Sequence, residues 1–497
     1  MDFFSIIVDI IRLDTLMYVF LGTVFGLVFG AIPGLTAMLA VIILIPLTYG
    51  MSTVSGISML VGVYIGGISG GLVAAILLGM PGTPSSITTV FDGFPLAKKG
   101  QAGRALGIGI TSNLVGCLLG WVCLVIAAPL IAHFAVRFGP IEYVAVVTFG
   151  FTAVISLSGD CFWKACVMTL FGLLISTVGI DPINGMTRNT FDFVVLEGGI
   201  SFVPALIGLF IVAQVFSELE DEFESFIIPP SSIGKITMTL REFRESLWNF
   251  IRSGAIGIFI GILPGIGGAL GNIVAYDQAK KAAPNPETFG TGDIQGIVAS
   301  ETSNNALIGG ALIPLLALGI PGDAVTAALL GGLQIHGIEA GPLLAKEHPE
   351  ILYSVFVYYL WATICMYVVM RVLGIKLFPI ILRVKKSYLL PVVLICCLIG
   401  CYNINNDISD VWASFIFGLV GYFLNKYKYP LVPIVITLIL GPMFEKQLRI
   451  AMVMTDGSLM PFVTTPISLI FLMMAAISVA IPLMNKKKNI QNNADKN

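Results

Sequence analysis

Gly79-Met80-Pro81-Gly82-Thr83-Pro84-Ser85-Ser86 follows an apolar run and is the stretch around which the rest of this sequence can be organised. A second stretch, Gly319-Ile320-Pro321-Gly322-Asp323, follows another apolar run and has Gly, Pro and Gly at the same spacing. Proline removes a backbone donor and glycine relaxes the backbone, so both stretches are predicted to interrupt a helix. In hydrocarbon, unpaired backbone is tolerated only where it is buried in protein or lines a cavity. The paired interruptions therefore predict a binding site that both stretches help to form.

The composition defines the class of protein. Of the 497 residues, 57% are hydrophobic and 11% are charged, which is outside the soluble globular range and predicts a polytopic membrane protein within a lipid bilayer. The net charge is -2 and no basic stripe is present, so nucleic-acid binding is not expected. The eight cysteines lack the paired spacing of disulfide or zinc sites. No nucleotide loop, zinc-protease motif or nucleophile elbow occurs, so we expect no cofactor and no enzymatic activity.

The apolar runs predict an all-α fold with about 11–15 hydrophobic segments. The runs at 72–80 and 311–319 are too short to cross a hydrocarbon core of about 30 Å, and both adjoin a Pro-Gly stretch. We therefore interpret them as halves of broken or re-entrant helices. A polar, charged connector at 219–250 separates a first membrane repeat with its following spans, 1–218, from a second repeat with the C-terminal spans, 251–497.

Internal duplication is indicated by a second pair of Pro-Gly motifs, which we interpret as structural hinges. Each half of the chain would then contain a Pro-Gly kink, an intervening span and a Pro-Gly break. The alternative is a chance alignment, because Gly and Pro are common in membrane helices. The matched residues are Gly26, Gly30, Pro33 and Gly34 in the first half and Gly257, Gly261, Pro264 and Gly265 in the second.

Lysine and arginine predict the orientation, because they accumulate in cytoplasmic loops. The strongly basic loop at 371–386 is placed inside, and alternating spans then put the connector and the C-terminus in the cytoplasm and the N-terminus outside. The loop after the first repeat is basic, with Lys98 and Lys99, whereas the loop after the second is acidic, with Glu339 and Glu347. Opposite charge at corresponding positions predicts repeats of inverted topology.

The residues Thr83, Pro84, Ser85 and Ser86 place hydroxyls and free amides at the predicted start of a half-helix. Helix N-termini attract anions through unpaired amides and the macrodipole, so this turn is a candidate carboxylate cradle without a basic side chain. The alternative is an ordinary serine N-cap in a loop.

The run from Ser300 to Asn305 places a carboxylate, hydroxyls and carboxamides in an apolar region. A charge inside a membrane costs at least about 2.5 to 3.5 kcal/mol, so Glu301 is expected to be functional. Together with Ser303 it offers oxygen ligands for Na⁺, and a buried carboxylate can instead carry a proton. We assign Asn304 and Asn305 to substrate binding, with Pro321 and Gly322. A solvated loop end is the alternative.

Asp323 replaces Thr83 in the second stretch, where its charge would repel an anion. It is predicted either to face the coupling cation or to cap its own half-helix. Asn272 and Asp277 follow the second hinge, and we interpret Asp277, which lies beside Lys280 and Lys281, as part of a solvated helix end.

Together, the segments 22–34, 66–104 and 300–342 resemble the large membrane subunit of the tripartite tricarboxylate transporters. The resemblance implies a bacterial inner-membrane permease that works with a small four-span membrane subunit and a periplasmic solute-binding protein. It further implies import of organic carboxylates, coupled to Na⁺ or H⁺. The stretches that match the family's recurrent motifs are Pro81 to Ser86, Glu301 to Asn305, and Pro321 to Gly322.

Two other functions are compatible with these residues: an intramembrane enzyme that uses Glu301, and a passive organic-anion channel. Duplicated inverted breaks favour transport, because an enzyme needs one site and gains nothing from alternating access.

Overall fold

The computed structural model describes residues 11–157, 161–181, 183–218, 233–264, 267–382, 384 and 386–494. Helices account for most of these residues, which confirms the all-α prediction apart from one short hairpin. Of the predicted sites, Gly265 lies outside the described residues, as do residues 219–232 of the connector.

The first part of the chain, up to residue 218, contains nine α-helices and a two-stranded antiparallel hairpin among its described residues. A 3-10 turn (Pro84–Ser86) precedes α4, and π-helical turns follow α4 (Ala97–Gln101) and α8 (Gly208–Val212). The elements are α1 (Leu13–Ala31), α2 (Ala37–Thr48), α3 (Thr53–Leu77), α4 (Ile87–Leu96), α5 (Ala102–Ala135), α6 (Pro140–Leu157), α7 (Phe162–Ser176), β1 (Gly179–Ile180), β2 (Thr187–Arg188), α8 (Phe202–Ile207) and α9 (Ala213–Glu218).

The described residues from 233 onward are helices and their connections. The helices are α10 (Leu240–Glu245), α11 (Leu247–Ile262), α12 (Gly267–Ala282), α13 (Ile294–Leu318), α14 (Ala324–Ile335), α15 (Leu344–Glu347), α16 (Pro349–Val368), α17 (Gly374–Ile381), α18 (Lys386–Asn405), α19 (Ile408–Lys426), α20 (Val432–Met454), α21 (Met460–Thr464) and α22 (Pro466–Ala494).

Length and composition agree with a polytopic membrane protein. Among the described residues, five helices are long and apolar enough to cross a membrane, and eight shorter helices are also apolar. The five long helical segments are Leu13–Ala31, Thr53–Leu77, Pro84–Ala135, Pro349–Leu373 and Ile408–Lys426.

The chain forms two compact units. The first comprises residues 1–133 and 222–397, and the second comprises residues 134–221 and 398–497. All the residues singled out from the sequence as candidate site residues belong to the first unit. The division of the sequence into two repeats at the 219–250 connector stays a prediction.

Both Pro-Gly stretches do interrupt helices. Helix α3 ends at Leu77, Gly79 has a positive φ of 69°, and helical structure resumes at Pro84. Helix α13 ends at Leu318, Gly319 is left-handed at φ 73°, and α14 begins at Ala324. Left-handed backbone is the conformation that glycine adopts without a steric cost.

The runs at 72–80 and 311–319 are not separate half-helices, because residues 53–77 and 294–318 each form one continuous helix. Small residues in these helices allow close helix packing and do not end the helix. The first hinge is a real break, since Gly34 has a φ of 84° between α1 and α2. Pro264 lies in the corresponding gap between α11 and α12.

Glycines bring two helix pairs of the first unit into backbone contact. A Cβ on Gly26 or Gly30 of α1 would clash with the carbonyl oxygens of Val63 or Gly67 on α3. Likewise, a Cβ on Gly257 or Gly261 of α11 would clash with the carbonyl oxygens of Ser303 or Leu307 on α13. Such small-residue contacts are the usual way for membrane helices to approach closely. They hold α3 and α13, the helices that lead into the two breaks, in the centre of the unit.

Candidate functional site

The first break presents three buried hydroxyls. Thr83 has an extended backbone before the turn, and its Oγ1 lies 2.8 Å from Ser86 Oγ and 3.1 Å from Ser85 Oγ. Gly71 on α3 leaves room for this turn, because a Cβ there would lie only 2.6 Å from Thr83 Oγ1 and would also clash with Ser86 Oγ. The three hydroxyl-bearing residues of the predicted Thr-Pro-Ser-Ser turn are therefore buried, although Pro84 is exposed.

Helix α12 packs across this turn. The side-chain nitrogen of Asn272 donates to the carbonyl oxygen of Ser85. A Cβ on Gly268 would lie 2.8 Å from Ser85 Cβ and 3.2 Å from Asn304 Oδ1, so this glycine is flanked by both side chains. A Cβ on Gly271, one turn later, would lie 3.6 Å from Ser303 Oγ. The turn, α12 and one face of α13 thus meet around a common region.

Several buried polar atoms in this region have no hydrogen-bond partner among the described residues. They are Asn272 Oδ1, both side-chain amide atoms of Asn304, and the hydroxyls of Ser303 and Ser300. An unsatisfied buried polar group costs about 1 to 3 kcal/mol, and such groups are rare in native proteins. Several together, on neighbouring helices, are typical of a site that receives a polar ligand. We call Ser85, Asn272, Ser300, Ser303 and Asn304 the open polar cluster.

Glu301 lies in a second buried network and is well supplied with donors. Its Oε1 accepts a hydrogen bond from the Thr89 hydroxyl. The Asn113 amide lies 2.7 Å from Glu301 Oε2 and donates to it when its nitrogen faces the carboxylate. Asn305 contacts Asn113 at 2.7 Å and accepts from the Ser69 hydroxyl at 2.6 Å. We call Ser69, Thr89, Asn113, Glu301 and Asn305 the carboxylate network.

Neutral groups surround the Glu301 side chain. It is fully buried, and no basic side chain in the part of the chain that the structure describes forms an ion pair with it. The described residues also contain no group of three or more His, Cys, Asp or Glu side chains close enough to hold a metal ion. Any charge on Glu301 is therefore stabilised by hydroxyl and amide donors.

Helix α4 is held in place by Asp92, three residues after Thr89. Asp92 Oδ1 accepts hydrogen bonds from the backbone N–H groups of Gly290, Gly292 and Asp293, each at 2.8 Å, and Oδ2 accepts one from the Tyr276 hydroxyl at 2.7 Å. This buried carboxylate is enclosed by donors from α12 and from the loop between α12 and α13. It anchors the helix that carries Thr89 to the loop that leads into Glu301.

Helix α5 supplies Asn113. A Cβ on Gly116 would clash with the carbonyl oxygen of Thr302, and one on Gly120 would lie 2.7 Å from the carbonyl oxygen of Ala306. These two glycines let α5 lie against the backbone of α13, which brings Asn113 to Glu301 and Asn305.

Asp323 caps its own half-helix, the second of the two roles considered for it. Its Oδ1 accepts from the backbone N–H and the hydroxyl of Thr326, each at 2.7 Å, and the Thr326 hydroxyl is also 2.8 Å from the Asp323 N–H. Its Oδ2 accepts from the Tyr64 hydroxyl at 2.6 Å. Neighbouring Gly322 packs against the backbone of Ala311 and Gly261.

A family model for the tripartite tricarboxylate transporter TctA family matches residues 16–436 of this sequence. The chain belongs to the TctA family. It is 34% identical over 469 residues to an uncharacterized 52.8 kDa protein in the TAR-I ttuC' 3' region of Agrobacterium vitis, covering 94% of this chain and 93% of that protein. It is also 33% identical over 228 residues to an uncharacterized protein in the TAR-II ttuC' 3' region of the same organism, covering 46% of this chain and 94% of that protein. No solved structure matches.

TctA-family membership makes this chain a multi-pass membrane component of a tripartite tricarboxylate transporter, and the family is one of transporters and not of enzymes. The expectation that the chain is not an enzyme is therefore confirmed. The assignment of individual residues to substrate or ion stays a prediction.

In this TctA-family chain, the structure separates residues that the sequence placed together. Asn304 belongs to the open polar cluster, whereas Asn305 hydrogen-bonds within the carboxylate network. Ser303 lies by Gly271 and not beside Glu301, since residues two apart on a helix do not face each other. Asn272, for which the sequence analysis proposed no role, is buried. Asp277, interpreted as a solvated helix end, is partly exposed and pairs with Lys281.

Proposed function

We propose that this chain is the permease subunit that imports di- or tricarboxylates by symport with Na⁺ or H⁺. In this proposal it acts with a small four-span membrane subunit and a periplasmic solute-binding protein in the bacterial inner membrane. The substrate carboxylate binds at the open polar cluster and the Thr83–Ser86 turn, and Glu301 carries the coupling ion.

One observation carries the proposal: α13 presents both clusters. Ser300, Ser303 and Asn304 supply the unpartnered polar atoms, and Glu301 and Asn305 supply the carboxylate network. Residues from adjacent positions of one rigid helix cannot move independently, so ion binding at Glu301 and substrate binding at Asn304 would be mechanically linked. Such a link is what a symporter requires, because each ligand must change the affinity for the other.

Two structural repeats form the frame of the proposed transporter, and the charge of their following loops favours inverted topology. The support for the duplication itself is a set of matching backbone contacts. In the first half the contacts are Gly26 with Val63, Gly30 with Gly67, and Gly70 with Leu27; in the second half they are Gly257 with Ser303, Gly261 with Leu307, and Gly310 with Ile258. Each α11 residue lies 231 positions after its α1 counterpart, and each α13 residue lies 240 positions after its α3 counterpart. A chance alignment of glycines would not reproduce the same partners.

Uptake by the complete system tests the function. The chain would be reconstituted in proteoliposomes with the neighbouring membrane subunit and binding protein, and supplied with labelled citrate or succinate. We expect accumulation above the external concentration when a Na⁺ or pH gradient is imposed, and the effective gradient identifies the ion. Equilibration without accumulation under either gradient would instead indicate a passive channel. Absence of any carboxylate flux would refute the proposal.

A further inference from the structure

The glycines of the two Pro-Gly breaks, Gly82 and Gly322, pack against corresponding residues of the two halves. A Cβ on Gly82 would clash with the Gly30 carbonyl oxygen and lie 2.9 Å from Gly71 Cα. A Cβ on Gly322 would lie 2.6 Å from the Gly261 carbonyl oxygen and 2.6 Å from Ala311 Cα. Each residue of the second set is the sequence counterpart of one in the first, so the two turns can be compared position by position.

At the second break, a carboxylate of the protein itself occupies the turn. Asp323 receives the backbone N–H and hydroxyl of Thr326 on one oxygen and the Tyr64 hydroxyl on the other, at 2.6 to 2.7 Å. Three neutral donors therefore hold this buried carboxylate. Tyr64 belongs to α3, so the donor on the second oxygen comes from the opposite half of the sequence.

At the first break, the two side-chain donors have counterparts, whereas the backbone N–H of Ser86 donates to the Thr83 carbonyl oxygen and no carboxylate side chain is present. The positions 240 earlier than Asp323 and Thr326 are Thr83 and Ser86, and the position 240 later than Tyr64 is Asn304. Thr83 reaches the Ser86 hydroxyl at 2.8 Å with its own hydroxyl. Asn304, which stands where Tyr64 stands in the other half, is 1% exposed, and its amide nitrogen has no partner among the described residues.

We propose that a ligand carboxylate occupies, at the first break, the place that the Asp323 side chain occupies at the second. Asn304 Nδ2 donates to this group as Tyr64 donates to Asp323, and the Ser86 hydroxyl takes the part of Thr326. The inference rests on the proposed function only in taking the ligand to be an organic carboxylate. Neutral donors of the same kind as those around Asp323 would then hold the ligand carboxylate, and no basic side chain is needed.

Asymmetry between the repeats is a direct consequence. The second break is closed by its own aspartate, so only the first break is open to a ligand carboxylate. Each chain then binds one carboxylate of the substrate through Asn304 Nδ2 and the Ser86 hydroxyl. The remaining carboxylates of a di- or tricarboxylate lie beyond it, towards the unpartnered hydroxyls of Ser300 and Ser303.

Thr83→Asp tests the inference by supplying the missing carboxylate from within the protein. Thr83→Asn is the matched control, because it has nearly the same size and no charge. Thermal unfolding of the purified full-length chain would be measured with increasing citrate, since a ligand that binds the native state raises its stability. We expect the apparent Kd for citrate to be at least tenfold higher for Thr83→Asp than for Thr83→Asn, with a ligand-free Tm at or above that of the control. Equal citrate affinity in the two variants would overturn the inference.

A second variant keeps the inference testable if Thr83→Asp does not fold. Asn304→Asp preserves the side-chain size but replaces the donating nitrogen by an acceptor oxygen, so citrate affinity should again fall at least tenfold. Wild-type affinity in Asn304→Asp would exclude the proposed contact. Failure of the proposed function gives a different result, because the wild-type chain would then bind neither citrate nor succinate and transport neither in the complete system.

Discussion

At the scale of single residues, the polar atoms of the first unit fall into two kinds. Those around Glu301 and Asp323 are paired with donors inside the protein. In the open polar cluster, by contrast, the amide of Asn304, the amide oxygen of Asn272 and the hydroxyls of Ser300 and Ser303 have no partner among the described residues. Burial of an unpaired amide is costly, so these atoms identify where a ligand belongs more directly than residue type does.

Asn272 is the residue that sequence reasoning missed. A lone asparagine carries little signal in a sequence, and only the packing of α12 shows that Asn272 is buried, two turns before the exposed Lys280 and Lys281. We predict that Asn272→Ala raises the half-saturation constant for carboxylate uptake about two- to tenfold, because the Ser85 carbonyl loses the amide donor that fixes the turn. Uptake kinetics measure this, with Asn285→Ala, an exposed asparagine after the same helix, as control. Equal kinetics in both variants would place the substrate elsewhere.

Glu301 is the residue to which we assign coupling. Glu301→Gln keeps the size and can still accept from Thr89, but it cannot carry a charge or release a proton. We expect gradient-driven accumulation to be lost while exchange of internal for external substrate persists, because exchange need not move net ions. Both would be measured in the same vesicles, with exposed Glu287→Gln as control. Full accumulation by Glu301→Gln would show that the coupling group lies elsewhere.

At the scale of helices, the sequence predicted the breaks but not the continuous helices that precede them. Proline and glycine act locally, so the interruptions at 79–82 and 319–322 could be recognised from the sequence. Whether Gly70 and Gly71 end α3 depends on what packs against them, and here they allow contact with α1 and with the Thr83 turn. The sequence also did not show which residues of the run 300–305 face the proposed ligand, since the neighbouring helices determine how α13 is oriented.

Gly71→Ala tests how α3 supports the turn. The added methyl group would clash with the Thr83 and Ser86 hydroxyls, which are ends of side chains and can rotate away. We therefore expect a folded protein whose carboxylate affinity falls at least tenfold. Ala311→Gly, at the corresponding position of α13, should cost only about 1 kcal/mol of helix stability and retain transport. Thermal unfolding measures the stability of the two variants and uptake measures their affinity for the carboxylate. Equal affinity in Gly71→Ala and Ala311→Gly would show that Gly71 does not support the turn.

At the scale of the whole chain, composition was enough to predict a polytopic membrane protein, because hydrophobic content is a sum over residues and needs no knowledge of contacts. The arrangement into units was not predictable in this way. Residues 1–133 and 222–397 form one unit although more than eighty residues separate them in sequence, and only tertiary contacts determine such an association. The inverted relation of the repeats rests on loop charge, and it can be tested independently of any substrate.

Orientation is the last prediction, and impermeant maleimide labelling of single cysteines can measure it. All eight native cysteines are free, so they would first be replaced, and Ile408→Cys and Val384→Cys would then be introduced at two exposed positions. The basic loop containing Val384 should face the cytoplasm, because lysine and arginine are retained on that side. Helix α18 separates it from Ile408, which should therefore face outside. We expect Ile408→Cys to react in intact cells and Val384→Cys only after permeabilisation. Labelling of Val384→Cys in intact cells, and of Ile408→Cys only after permeabilisation, would remove the loop-charge argument for inverted repeats. The matching backbone contacts would then be explained by repeats of the same orientation.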